Sequence, residues 1–181
     1  METRQVQVEP AKGWKRPEFT GAFGETHPRV RQEMKRILQE TRSYAYLDEQ
    51  ASSLLADACR AAAGGQVCER SLVPLGPKTT AFMTWTGDRI QQTVRAILSH
   101  SGIACSDRGV ALEFRLSVDE TRESLRKAAS ASFQPLDLAR HVFPRIRRKY
   151  DWLLHEDLVD ASIAEGWLDL EGARALLASV K

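Results

Sequence analysis

The chain has 181 residues, of which 43% are hydrophobic and 28% are charged. This length and composition predict a folded domain with a buried core, and they exclude a disordered or collagen-like chain. The formal net charge is only +2, so the charge of the whole chain gives no argument for nucleic-acid binding. No apolar run is long enough for a transmembrane helix, and the first 25 residues lack the apolar region of a signal peptide. We therefore expect a cytoplasmic protein with no membrane partner.

Residues 1–25 predict an extended arm. They are rich in glycine, proline, lysine and arginine. Three isolated aromatic side chains lie in this arm: Trp14, Phe19 and Phe23. Because aromatic side chains contribute strongly to protein interfaces, we expect these three to dock on another surface, such as a partner protein.

Residues 26–65 predict a helical hairpin, because two apolar stripes at helical spacing flank a short turn. The first helix is expected to begin at Pro28, with Thr26 or His27 as its cap. Its apolar stripe comprises Val30, Met34, Ile37 and Leu38. The second helix is expected to begin after Asp48 and to stop at two consecutive glycines. Its apolar stripe comprises Ala51, Leu54, Leu55, Ala58 and Ala62.

Residues 66–134 predict a small, mostly antiparallel sheet with one helix packed on it. Two β-prone runs, from Val67 and from Thr79, flank the Gly-Pro-Lys turn at 76–78, and a second hairpin is expected over 103–116. An amphipathic pattern between the two hairpins predicts a helix from about residue 87 to 100. A Ser-Val-Asp-Glu capping box at 117–120 opens another helix.

Residues 135–181 predict a C-terminal helical bundle. A short helix over 135–143 is expected to break at Pro144, and one or two helices follow over 145–165. Asp169 is expected to cap the final helix. The predicted fold class is therefore α+β: an N-terminal hairpin, a small sheet with a packed helix, and a C-terminal bundle, together forming one compact domain.

The sequence carries no recognisable catalytic apparatus. It has no Walker A motif, no Rossmann glycine fingerprint, and no H-E-x-x-H, C-x-x-C or G-x-S-x-G motif. The three cysteines are odd in number and far apart, which indicates reduced thiols, and the histidines and cysteines lack the paired spacing of zinc modules. We expect no catalytic residue, no metal and no cofactor. A Cys–His nucleophilic pair that forms only in the fold stays an open alternative.

Trp85 and Arg89 belong to a Thr-Trp-Thr-Gly-Asp-Arg segment in which a strand gives way to a helix. Backbone amides at a helix N-terminus favour phosphate, and Arg89 would supplement them from a polar helix face that it shares with Gln92 and Thr93. The structural alternative is that Trp85 anchors the core and Asp88 complements the helix dipole. The residues alone favour this structural alternative.

Charge is unevenly distributed in the last third of the chain. Five basic residues and no acidic residue lie between 140 and 149, and four acidic residues follow by 160. On one continuous helix a single face would carry Arg145, Arg148, Lys149 and Trp152. A basic stripe with a tryptophan suits a nucleic-acid backbone, with the ring offered to a base. An equal alternative is a solvated helix whose charges pair with neighbouring elements.

Five segments carry a resemblance to a known family. They are HPRVRQEM at 27–34; YLD at 46–48 with Ala51, Leu54 and Leu55; FMTWTGDR at 82–89 with Thr93; KYDWLL at 149–154; and LDLEGA at 168–173. In order and spacing, they resemble the region after the motor domains in Lhr-like (large helicase-related) DEAD/DEAH-box helicases of superfamily 2, over most of the chain. The resemblance implies an accessory C-terminal domain that works beside two RecA-like motor domains, in cis or in trans. The chain departs from that family because it has no Walker A lysine and no acidic Mg²⁺-binding box, so by itself it should neither bind nor hydrolyse ATP.

Three functional hypotheses follow. The first is a non-catalytic accessory domain of an ATP-dependent DNA helicase, which contacts single-stranded or forked DNA through Trp85, Arg89, Arg145, Arg148, Lys149 and Trp152. The second is a protein-interaction module or stand-alone subunit of a complex without direct DNA binding, in which Trp14, Phe19 and Phe23 dock on a motor subunit. The third is an enzyme in its own right, which a strongly acidic thiol among the three cysteines would support.

Overall fold

The computed structural model describes residues 25–40, 42–143, 145 and 150–180. Its helices are α1 (Pro28–Gln39), α2 (Glu49–Gly65), α3 (Asp88–His100), α4 (Val118–Ser130), α5 (Pro135–Ala139), α6 (Glu156–Gly166) and α7 (Leu170–Ala178), with a 3₁₀ turn at Asp151–Leu153. Its strands are β1 (Leu72–Gly76), β2 (Thr79–Met83), β3 (Ser106–Asp107) and β4 (Ala111–Phe114). The predicted α+β fold class is confirmed. The aromatic residues of the predicted arm, Trp14, Phe19 and Phe23, lie outside the described residues.

The four strands form one antiparallel sheet in the order β1-β2-β4-β3. Phe82 on β2 lies opposite Leu72 on β1 and Leu112 on β4, and all three point into the main core with α3, α4 and the C-terminal helices. The alternate residues point the other way, because side chains along a strand alternate between the faces of the sheet. On that second face Ala81 packs in a smaller core with Ala62 of α2. The sheet is therefore a middle layer between the hairpin and the remaining helices.

The helical hairpin forms as predicted, but its first helix buries a different residue. The caps are His27, whose ring accepts the Arg29 amide N–H, and Asp48. The prediction for α1 was wrong at Val30, which is 52% exposed, and at Met34, which is also exposed, whereas Arg31 is buried. The first turns of α1 pack on the polar junction between β2 and α3 rather than on the apolar core, and that junction offers oxygen acceptors to a guanidinium. In α2 the prediction was wrong at Leu54 and Ala58, which are exposed.

Two further boundaries differ from the prediction. The β-prone run from Val67 becomes a strand only at Leu72, because the residues after α2 form a turn that begins with Gln66 at a φ of 52°. The helix predicted over 135–143 ends at Ala139. The capping box at 117–120 and the Asp169 cap of α7 are both present. Among the described residues, no helix is both long and apolar enough to cross a bilayer.

Candidate nucleic-acid interface

Trp85 is a buried residue at the end of β2. Its side chain is packed among Ala62, Cys68 and Met83, and the residue is 8% exposed. The indole N–H donates a hydrogen bond of 3.0 Å to the carbonyl oxygen of Val67. The backbone φ is 45°, a left-handed conformation that costs about 1–2 kcal/mol for a residue with a Cβ, and the packing of the ring holds it there. This placement agrees with the structural alternative, and the ring is not accessible to a base.

Arg89 is exposed, but its guanidinium is already engaged. Its Nε donates to the carbonyl oxygen of Trp167 at 2.7 Å, and its Nη2 donates to that of Leu168 at 3.5 Å. Thr93, predicted on the same polar face, is fully buried; its hydroxyl donates to the Arg89 carbonyl and accepts the backbone N–H of Asp169. These contacts join α3 to the segment before α7, so the expectation that Thr93 is presented to a ligand was wrong.

The N-terminus of α3 is covered by the start of α1. The Asp88 carboxylate accepts the Thr26 backbone N–H at 2.8 Å and forms an ion pair with Arg31. A Cβ added at Gly87 would lie 2.7 Å from the ring of Pro28, which shows how closely the two helix ends approach. The positive end of the helix dipole is therefore already paired with a carboxylate of the chain itself, and the phosphate site expected there is occupied by Asp88.

A buried polar network extends from this junction to β3. The Arg31 guanidinium donates to the Thr86 carbonyl at 2.7 Å and to Gln91 Oε1 at 3.3 Å. Gln91 is itself buried, and its Nε2 donates to Asp107 Oδ1 at 2.7 Å. The network thus joins α1, α3 and β3 through side chains that are costly to leave without partners in the interior. Sequence reasoning missed Arg31 and Gln91, because hydrophobic spacing carries no signal for a buried charged residue.

Arg140 and Arg145 both bind the buried carboxylate of Asp160. Arg145 Nη2 is 2.5 Å from Asp160 Oδ1, and Arg140 Nε is 3.3 Å from Asp160 Oδ2. Two guanidinium groups meet one carboxylate, so this local group retains one excess positive charge. The charge-pairing alternative thus holds for Arg145, which binds a neighbouring element, α6.

The continuous helical face predicted for Arg145 and Trp152 does not form. Arg145 is not helical, and Tyr150 adopts φ −113° and ψ 4°, outside the helical region, before the 3₁₀ turn that carries Trp152. An extended His155 then begins α6. Arg148 and Lys149 lie outside the described residues.

Three aromatic side chains on this part of the chain are exposed to solvent: Phe143 by 71%, Tyr150 by 62% and Trp152 by 66%. Together with Arg140 and Arg145, we call them the aromatic–basic segment. Trp152 is a predicted site residue, whereas sequence reasoning missed Phe143 and Tyr150. The signal that would have found them is their position on either side of the basic residues at 145–149, since aromatic rings beside basic side chains are typical of single-strand binding surfaces.

The three cysteines are free. Cys68 is buried in the smaller core, Cys105 packs against the main core, and half-buried Cys59 lies against the Ile37 carbonyl of α1. Burial is the main cause that raises the pKa of the Cys68 thiol and that of the Cys105 thiol. Both thiols are therefore protonated at neutral pH, the opposite of an activated nucleophile. Among the described residues, no group of three or more histidines, cysteines and acids comes together as a metal site would require.

The comparisons with known proteins found no match to a family model, to a curated protein or to a solved structure.

Proposed function

We propose that this chain is a non-catalytic accessory domain of an ATP-dependent DNA helicase, which contacts single-stranded or forked DNA through the aromatic–basic segment. The observation that carries the proposal is the exposure of Phe143, Tyr150 and Trp152 beside a basic run. Rings of this kind bury readily in apolar cores, so three rings with most of their surface exposed in one short stretch offer a stacking surface to a ligand. Nucleic-acid bases stack on such rings, and basic side chains nearby hold the backbone.

The proposed contact set differs from the one that the sequence suggested. Trp85 is withdrawn because its ring is buried, and Arg89 is withdrawn because its guanidinium binds two backbone carbonyls. Trp152 stays in the set, and Phe143 and Tyr150 join it. Arg145 stays although it pairs with Asp160, because Arg140 and Arg145 share that one carboxylate and one excess positive charge is left. Arg148 and Lys149 also stay, on the argument from sequence alone. The helicase context rests on the order and spacing of the five resembling segments.

The test is fluorescence anisotropy of a labelled fork with a single-stranded arm, titrated with the full chain at increasing NaCl. We expect binding that weakens as NaCl rises, because each neutralised phosphate releases counterions. Replacing Trp152 by alanine should weaken binding by about 1–3 kcal/mol if its ring stacks on a base. Tyr46→Ala is the matched control, since Tyr46 is an exposed aromatic residue of the hairpin. Absence of binding, or equal binding by both variants and the parent, would contradict the proposal.

A second candidate is docking on a protein, such as a helicase motor, without direct DNA contact. The observation that favours it is a set of exposed leucines next to the aromatic residues: Leu153, Leu154 and Leu158. Nucleic-acid bases stack on aromatic rings and not on leucine side chains, whereas protein interfaces bury leucine side chains. Co-purification of the chain with a co-expressed motor, lost on Leu158→Ser and retained on Phe143→Ala, would favour docking over DNA binding.

A further inference from the structure

A small polar pocket opens beside the C-terminal half of α3. It is about 240 Å³ in volume and lies between α3, the segment that follows it, and the loop after α5. The side chains that matter for its chemistry are Gln92, Arg95, Ser99, Cys105, His141 and Phe143. We call it the α3 pocket. Of these six residues, only Phe143 belongs to the aromatic–basic segment.

One wall of the α3 pocket is a polar stripe of the helix. Gln92, Arg95 and Ser99 follow one another at spacings of three and four residues, so they project from the same face. Arg95 Nη1 donates to Gln92 Oε1 at 3.2 Å and lies 3.4 Å from Asp107 Oδ2. Arg95 is also hydrogen-bonded to the Cys105 side chain. A guanidinium has five N–H donors, so these three contacts still leave donors for a ligand. The side chain of Arg95 is about a quarter exposed, which keeps it within reach of the pocket.

The opposite wall carries an imidazole that is hydrogen-bonded to the helix. His141 Nδ1 lies 3.0 Å from Ser99 Oγ, and the His141 ring meets His100 edge-on at 5.4 Å between ring centroids. Both Ser99 and His141 are exposed, so a ligand can approach them. An Arg, a hydroxyl and an imidazole around one concave site are groups that bind phosphate oxygens.

Phe143 supplies a flat apolar surface at the same pocket. The preceding residue, Val142, is buried in the main core, which anchors the chain where the Phe143 ring is presented. Asp107 is an acidic residue beside the pocket. Its carboxylate pairs with Arg95 and also accepts hydrogen bonds from Gln91, Gln92 and the Gly109 backbone N–H, so it offsets part of the positive charge that Arg95 offers to a phosphate. Cys105 adds no negative charge, because burial raises the pKa of its thiol.

We propose that the α3 pocket binds one nucleotide unit of a single-stranded nucleic acid, with its base stacked on Phe143 and its phosphate held by Arg95, Ser99 and His141. This inference rests on the proposed function, because it locates one subsite of the same nucleic-acid contact. It also extends the contact from the aromatic–basic segment onto α3. On this proposal the polar face of α3 has two roles. Arg89 and Thr93 bind the segment before α7, whereas Arg95 and Ser99 bind the ligand.

The experiment measures the anisotropy of a labelled oligothymidylate of about 12 nucleotides, titrated with the full chain. Phe143→Leu keeps an apolar side chain but removes the ring, and it should weaken binding about tenfold. Phe143→Trp keeps a ring and should bind within about threefold of the parent. Ser99→Ala and His141→Gln each remove an exposed polar group and should weaken binding about three- to tenfold. Circular dichroism confirms that each variant is folded, and Tyr46→Leu is the control for loss of a distant exposed ring.

The outcomes separate this inference from the proposed function. If the parent binds the oligonucleotide and the Phe143, Ser99 and His141 variants bind equally well, the pocket is overturned and the proposed function stands. If Phe143→Leu and Phe143→Trp lose affinity to the same extent, stacking in the pocket is overturned. If the parent binds no oligonucleotide at low salt, both are overturned. A tenfold loss for Phe143→Leu, restored by tryptophan, supports the pocket.

Discussion

Replacing Arg31 by methionine should destabilise the fold far more than an ordinary change on a helix surface. Arg31 is 6% exposed and binds the Thr86 carbonyl, the Gln91 side chain and the Asp88 carboxylate. Methionine fills similar volume but removes the guanidinium donor of all three acceptors. The Thr86 carbonyl loses its Arg31 contact, whereas Asp88 keeps the Thr26 N–H and Gln91 Oε1 keeps the Thr84 hydroxyl. Breaking a buried ion pair from one side costs about 3–5 kcal/mol. Because the Asp88 side chain is 29% exposed and water replaces part of the loss, we expect about 2–4 kcal/mol.

The assay is urea unfolding followed by circular dichroism, with thermal unfolding as a second measurement. A loss of 2–4 kcal/mol corresponds to a fall in Tm of about 5–12 °C for a chain of this size. Arg36→Met is the matched control on the same helix, since Arg36 binds only the exposed Glu33 and Glu40 among the described residues. The control should unfold close to the parent, because exposed ion pairs contribute little. Equal midpoints for Arg31→Met and Arg36→Met would refute the argument that the Arg31 network joins the hairpin to α3.

Three further predictions concern single positions. Gly87→Ala should lower the free energy of unfolding in urea by about 1–3 kcal/mol, because the added Cβ would lie 2.7 Å from the Pro28 ring. An unchanged unfolding midpoint would show that α1 and α3 can move apart at this point without cost. Asp160→Ala should cost about 1–3 kcal/mol in the same assay, because it leaves two guanidinium groups facing each other; a stabilised variant would contradict this pairing. Hydrogen bonds from Ser117 lower the pKa of Glu120 in the folded chain below its ordinary value of 4.5. The charged Glu120 side chain therefore stabilises the fold above about pH 4.5, and this stabilisation is lost as the pH falls further. Glu120→Gln should reduce the fall in Tm between about pH 5 and 3, and an identical pH profile would argue against the capping box.

The order of the elements is predictable from sequence because local signals determine it. Asp48, the capping box at 117–120 and Asp169 each begin a helix where the sequence indicates one. Caps and turns depend on hydrogen bonds within a few residues, so they can be predicted without knowledge of the distant contacts in the fold. In β4, Leu112 and Phe114 alternate with Glu113, and this alternation predicts the face that packs in the main core.

The side of a helix that is buried depends on distant contacts, and sequence spacing predicted it wrongly for α1. Val30 belongs to an apolar stripe yet is exposed, because α1 begins against the polar end of β2 and α3, where Arg31 finds its acceptors. The same limit applies to the candidate site. The residues alone favoured a core position for Trp85, but only the fold shows that the Val67 carbonyl accepts its indole N–H and that the Trp167 carbonyl binds Arg89.

The central claim is that DNA lies against the segment that carries Phe143, Tyr150 and Trp152. The most direct measurement is photo-crosslinking of a bromodeoxyuridine-substituted single strand to the full chain, followed by peptide mapping. The account predicts cross-links concentrated at these three exposed rings, and their loss as NaCl rises. Cross-links confined to other parts of the chain, or none at low salt, would contradict it.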